Sequence, residues 1–387
     1  APPPPAAAAF SYSARGGWGG GGWGAPPPAA PPPPPPPRDA SAAPGQRIPG
    51  FPRMSRYLLR RVLMLVPVLL GVTLIVFALM YVTPSDPAQM MLGANASPAA
   101  YTQMKADMGL DQPFLVQYIR FLFGYKNPTF GYRGLLFGDL GRSYVSNRNV
   151  FELILSSFPN TLILAAGALF LALAVGVPIG ILSATHPYSA VDMIFTVFAL
   201  FGASIPVFWA AMVLIYTFAN NLRIFPAMSN PGDFLSLVLP IITLSMYSMA
   251  VIMRMTRSSM LEVMQQDYIR TARVKGMDEK VVVFKHALRN ALIPVVTVAG
   301  LQFGQLLGGA VLTEKIFSYP GLGTIMVDAI YQKDTPQILG SVCFVALTFT
   351  IMNLIVDILY GFIDPRIKTT FARKKRRPAA AAARSQA

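Results

Sequence analysis

The chain has 387 residues, 53% of them hydrophobic and only 13% charged, with mean hydropathy +0.49 and a formal net charge of +15. Several apolar runs approach or exceed the roughly 20 residues that an α-helix needs to cross a bilayer core, which excludes an ordinary soluble domain. The basic residues gather beside those runs, so membrane topology accounts for the charge and no nucleic-acid partner is called for.

Residues 1–53 have a composition of their own, with 17 of the 35 prolines, an unbroken run from Pro31 to Pro37, and a Gly-rich stretch around Trp18 and Trp23. A segment of this kind cannot bury a core and is expected to be disordered or polyproline-like. Met54 is followed at once by Ser55-Arg56-Tyr57-Leu58-Leu59-Arg60-Arg61. That arrangement predicts Met54 as the natural start, with the preceding stretch as upstream translation.

A first span is predicted over about Val62 to Val82, too long and without a cleavage site to be a signal peptide. Residues 83–158 then form the longest polar stretch in the body of the protein, read as a small external subdomain. Within it, Phe114, Tyr118 and Phe121 share one face of an amphipathic helix over Pro113 to Phe123. Its six Lys/Arg do not oppose an outside location, because long loops escape the positive-inside rule.

Five further spans are predicted, roughly Thr161 to Leu182, Met193 to Ala219, Phe234 to Met253, Ala291 to Thr313 and Ile338 to Val356. The fold class is therefore an all-α polytopic membrane protein of six transmembrane helices. The transmembrane domain covers 54–368 and a basic disordered tail covers 369–387. Short-loop charge, including the run Arg373 to Arg377, places both termini and the 254–290 loop in the cytoplasm. Gly202 and Pro206 disturb the third span. Gly300, Gly304 and Gly308, four apart, put a small-residue face on the fifth, read as a packing seam or a contact near a pathway.

The loop over 254–290 concentrates eight Lys/Arg and four Asp/Glu. Met260, Leu261, Met264, Tyr268 and Ala272 recur at helical spacing, Gly276 suits a helix stop, and Asp278 suits the cap of a second helix with Val281, Phe284 and Leu288. Spans are poor in ionisable groups, which disfavours an ion-coupled carrier working alone. No G-x-x-x-x-G-K-[ST] run is present, so an energy source must come from another polypeptide. Two His and the single Cys343 leave no material for a metal cluster or a Cys/His nucleophile pair, and no disulfide within the chain.

Asp267-Tyr268-Ile269-Arg270-Thr271-Ala272-Arg273-Val274-Lys275-Gly276 and the continuation His286 to Pro294 resemble the cytoplasmic coupling motif of the peptide/nickel-type permease subunits of ABC importers. The likeness extends to Gly109-Leu110-Asp111-Gln112-Pro113, Pro206-Val207-Phe208-Trp209, Phe317-Ser318-Tyr319-Pro320-Gly321-Leu322-Gly323 and Asp364-Pro365-Arg366. The broader importer pattern opens on Glu-Ala-Ala, where this chain has Arg270-Thr271-Ala272. The resemblance implies a non-catalytic transport subunit, with Leu261, Met264, Asp267, Tyr268, Ile269, Arg270, Thr271, Ala272, Arg273, Lys275 and Gly276 docking on an ATPase. It further implies a second homologous permease, two ATPase subunits or domains that hold ATP and Mg, an extracytoplasmic binding protein, and a bacterial inner membrane. No cofactor bound by this chain is implied. Di- or oligopeptides are the implied cargo, with nickel chelates or glutathione as the alternative.

Overall fold

The computed structural model describes residues 52–83, 86–93, 96–127 and 131–363. The Pro-rich segment 1–51 and the basic tail lie outside the described residues. Helix α1 (Pro52–Val82) leads into a compact segment of short helices: α2 (Pro87–Leu92), α3 (Pro98–Asp107) and α4 (Phe114–Phe123). The long helices follow as α5 (Val150–Thr185), the pair α6 (Ala190–Ser204) and α7 (Val207–Leu214), and α8 (Phe234–Met264). A short α9 (Asp267–Val274) and the single turn α10 (Glu279–Val281) precede α11 (Leu288–Ile316), α12 (Leu322–Tyr331) and α13 (Thr335–Ile363). Among the described residues there is no strand, only two isolated bridges, Tyr125 with Tyr132 and Arg142 with Asn149.

Four helical stretches are long and apolar enough to cross a membrane: Val150–Thr185, Phe234–Met264, Glu279–Ile316 and Thr335–Val356. The α6–α7 pair makes a fifth if it is one span, for its two parts meet at 103°. The sequence predicted one helix there. Pro206 has no N–H to continue the ladder and forces the residue before it out of the α region, and Ile205 accordingly sits at φ −76°, ψ 126°. The second span also starts earlier than expected. Asn149 caps Phe151 N at 2.9 Å, and the helix then runs through Pro159.

The centre of the bundle is α5 against α8. Ala168, Ala172, Gly176, Gly180 and Ala184 recur four apart on α5, one row along the helix, and all five are buried. Small side chains let the two backbones approach closely. A Cβ on Gly176 would stand 2.9 Å from Met249 O, and one on Gly180 would stand 2.6 Å from Thr256 Cβ and 2.7 Å from Met253 O. Gly180→Val should therefore lower stability by about 1–3 kcal/mol through overpacking, despite its freedom from positive φ. The unfolding midpoint in detergent measures it; an unchanged midpoint would mean that α5 and α8 separate freely.

Candidate coupling site

Met260, Leu261 and Met264 belong to α8, which extends well past its apolar part before ending at Gln265. Gln266 is extended, at φ −72° and ψ 149°, and a new helix, α9, begins at Asp267. The sequence had predicted one helix through Met260 to Ala272. Gln265 and Gln266 carry no breaking signal of the Gly or Pro kind. The break instead lets α9 turn its apolar face back onto the bundle, and that burial outweighs local continuity.

That face consists of Ile269 and Ala272, both buried. They pack with Ile181 and Ala184 at the end of α5, with Met260 of α8, and with Val282, Val283 and Ala287 beyond the turn. Leu261 and Met264 are half-buried at the edge of the same cluster. The opposite face is exposed and mostly polar: Asp267, Tyr268, Arg270, Thr271, Arg273 and Lys275. Asp267 sits in the first turn and Arg273 in the last, each suited in sign to its end of the helix.

Gly276 ends α9 as the sequence predicted. Its φ is +74°, its N–H donates to Arg273 O at 3.0 Å, and the Met277 N–H donates to Ala272 O at 3.4 Å. This pair of bonds is a Schellman closure, and it needs a residue that tolerates the left-handed region. No atom lies within 4 Å of where a Cβ would stand, so the requirement is one of backbone conformation and not of space.

Across the turn, the Arg273 guanidinium donates to both oxygens of Glu279, at 2.6 and 3.1 Å. Hydrogen bonding to that carboxylate holds Arg273 above its ordinary value, against the opposing effect of burial. Asp278 caps the following turn through Lys280 N, as expected. The chain then passes through a π segment (Val282–Ala287) into α11. Asn290 Nδ2 donates to the Tyr268 hydroxyl at 2.9 Å, tying α9 to the base of α11.

Behind this seat lies an ion pair that sequence reasoning did not single out. Asp192 of α6 is buried and accepts from Arg257 Nε and Nη2, each at 2.7 Å, from Ser183 Oγ and from Tyr188 N at 2.9 Å. One carboxylate thereby joins α5, α6 and α8 within a turn or so of Ile181, Ala184 and Met260. A carboxylate and an arginine flanking different apolar runs were the available signal, but nothing local connects positions 192 and 257.

The predicted glycine positions divide. On α11, a Cβ at Gly300 would overlap Val356, and one at Gly304 would touch Phe349 at 3.4 Å, so these two seat α13. Gly308 faces open space. Gly202 faces Met246 O of α8 at 3.8 Å, and Pro206 caps α7 at the bend. At the other end of the bundle Glu314 is fully buried. It accepts from Thr161 Oγ1 at 2.6 Å, Gly323 N at 2.7 Å and Thr324 N at 3.2 Å, and so closes the first turn of α12.

Residues 176–369 match the family of binding-protein-dependent transport system inner membrane components, and residues 54–165 match the N-terminal family of such membrane components. The chain is 42% identical over 342 residues to the dipeptide transport system permease protein of Alkalihalophilus pseudofirmus, covering 81% of this chain and 100% of that one. It is 41% identical over 325 residues to the oligopeptide transport system permease protein of Bacillus subtilis, with the same coverage of each. A methionine ABC transporter in an inward-facing conformation superposes over 55% of this chain and 96% of that one, with a TM-score of 0.44 and 18% identity. With both parts of the chain matched and relatives of this identity covered along their whole length, the chain belongs to the binding-protein-dependent transport system inner membrane component family, in its peptide-type ABC permease branch.

Proposed function

We propose that the chain forms half of the translocation pathway of an ATP-driven importer of di- or oligopeptides, and that α9 is the lever through which an ATPase moves it. The observation that carries this reading is the two-sidedness of α9. One face is packed into the ends of α5, α8 and α11, while the other is exposed and mostly polar, held to the chain by the Arg273–Glu279 pair and the Asn290–Tyr268 hydrogen bond. A helix so placed transmits displacement to three spans at once, and laying such a helix in a partner's groove is a common mode of recognition.

The names of the relatives support peptides as cargo. The remaining parts of the proposal follow from the sequence: six spans with α1 as the first, both termini and α9 in the cytoplasm of a bacterial cell, and a domain division at 54–368 with the 83–158 segment outside. A second homologous permease completes the pathway, a binding protein delivers cargo to the outer face, and ATP with Mg is held by the ATPases. ATP-driven closure then switches the spans between inward- and outward-facing states through a rigid movement of α9. No residue of this chain enters the chemistry of hydrolysis.

Gly276 supplies the test. A β-branched residue at φ +74° costs about 1–2 kcal/mol, which α9 relieves by losing its closing turn. Gly276→Val should insert normally in the membrane yet reduce peptide uptake by about tenfold or more, whereas Gly276→Asn, which tolerates this conformation, should retain most of it. Uptake in vesicles containing all subunits measures this, and unimpaired uptake by the valine variant would overturn the assignment of α9.

A further inference from the structure

The polarity of α4 is the reverse of that of a helix resting on a protein surface in water. Its exposed side chains are Leu115, Val116, Ile119 and Phe123, with Leu115 at 65% and Ile119 at 53% exposure. Its polar ones turn inward. Gln117 Nε2 donates to Leu110 O at 3.2 Å and Gln112 O at 2.7 Å, and Arg120 stacks over the Tyr125 ring at 5.5 Å, lining a partly open cavity of about 510 Å³. In water this arrangement would expose an apolar stripe for no gain.

The contacts of α4 fix its level along the bundle. Phe77 of α1 meets the rings of Phe114 and Phe121 at 5.6 and 5.7 Å, and Tyr118 donates to Leu70 O at 3.2 Å. Phe121 and Leu122 pack against Leu339 and Cys343 near the start of α13. Phe77 lies five residues from the end of α1, about 8 Å along its axis at 1.5 Å per residue. That is the depth to which interfacial helices bury an apolar face, roughly 5–10 Å. The apolar surface of α4 also continues onto the exposed Ile75 and Leu79 of α1, within the apolar stretch Val66–Val82 that the proposal above takes as part of the first span. Past its C-terminal end, the exposed cations Lys126 and Arg133 share a shallow groove with Phe123, Phe137 and Asp139, whose carboxylate is taken up by the Arg133 and Gly141 N–H groups, a composition suited to headgroup phosphates beside acyl chains.

We infer that α4 and the turn Leu135–Phe137 lie in the bilayer interface with Leu115, Ile119 and Phe123 against acyl chains, so that the segment between α1 and α5 is seated in the membrane at the bundle end opposite α9. The occupant of this face is lipid, because the apolar surface it continues is that of α1, the first span of the proposed topology. The inference needs only that α1 and α13 cross the membrane, and holds whichever cargo passes.

The test is collision accessibility of nitroxide labels on the assembled transporter in lipid nanodiscs, in a Cys343→Ser background. Labels replace Leu115, Ile119 or Phe123, with Asn147 as the water-exposed control. Oxygen, which concentrates in lipid, should relax the three α4 labels several-fold more than a water-soluble nickel complex does, and the order should invert at position 147. Greater nickel access at positions 115 and 119 would overturn the inference, as would exclusion of both reagents, which would mean that another subunit covers the face. Normal uptake by each labelled transporter shows that the label has not unseated the helix.

Discussion

Glu314→Ala is expected to destabilise the protein by about 3 kcal/mol or more, since it strands the Gly323 and Thr324 N–H groups and the Thr161 hydroxyl that the carboxylate now accepts from. Each orphaned buried donor costs about 1–3 kcal/mol, and the removed side chain leaves a void besides. Glu314→Gln keeps the volume and one acceptor, so it should lose about half as much. A sharper prediction concerns Gly321, whose φ of −97° any residue could adopt. Its need for glycine is spatial, because an added Cβ would overlap the Glu314 carboxyl group. Gly321→Ala alone should therefore destabilise, while in the Glu314→Ala background the new methyl enters vacated space. Denaturant unfolding in detergent of the two single variants and the double should show strong non-additivity. Simple additivity would place the cost of Gly321→Ala somewhere other than this contact.

The features that sequence revealed are those whose cause is local. The α4 face was readable because Phe114, Tyr118 and Phe121 recur at helical spacing, and all three meet Phe77. Gly276 and Asp278 were readable because a left-handed stop and an N-cap are short-range needs of the backbone. Pro206 announced a break but not its 103° angle, which depends on how α6 and α7 each pack against α8. The division of α8 from α9 carried no signal, for it is set by where Ile269 and Ala272 find a cluster drawn from four separate elements. Ser143 and Tyr144, which donate to Asp334 and so clasp the segment after α4 to the start of α13, lie about 190 positions from their acceptor. The row of small residues on α5 was visible in principle, since Ala168, Ala172, Gly176, Gly180 and Ala184 hold a period of four. Three of its five members are alanine, however, so it lacks the glycine signature that marks α11.

Removing one partner of the Asp192–Arg257 pair should do more harm than removing both. Arg257→Met leaves Asp192 buried with the Ser183 and Thr196 hydroxyls and the Tyr188 N–H as its remaining partners, an expected loss of about 3 kcal/mol. The figure sits at the low end for a buried pair because the Arg257 side chain keeps 27% exposure. Taking away Asp192 as well, as Asp192→Leu with Arg257→Met, exchanges the pair for apolar packing, which costs little where the volume is matched. The double variant should then recover most of the stability, and the cycle of unfolding free energies should give a coupling of about 2 kcal/mol or more. Function need not follow stability. The pair holds α5, α6 and α8 together next to the cluster that seats α9, so a double variant that folds well but lacks the bidentate clamp should hydrolyse ATP in the assembled transporter with less peptide moved per ATP. Measuring uptake and hydrolysis together separates these cases. Wild-type uptake per ATP in the stable double variant would confine the pair to a structural role, and a proportional fall in both would point to lost assembly instead of a slack lever.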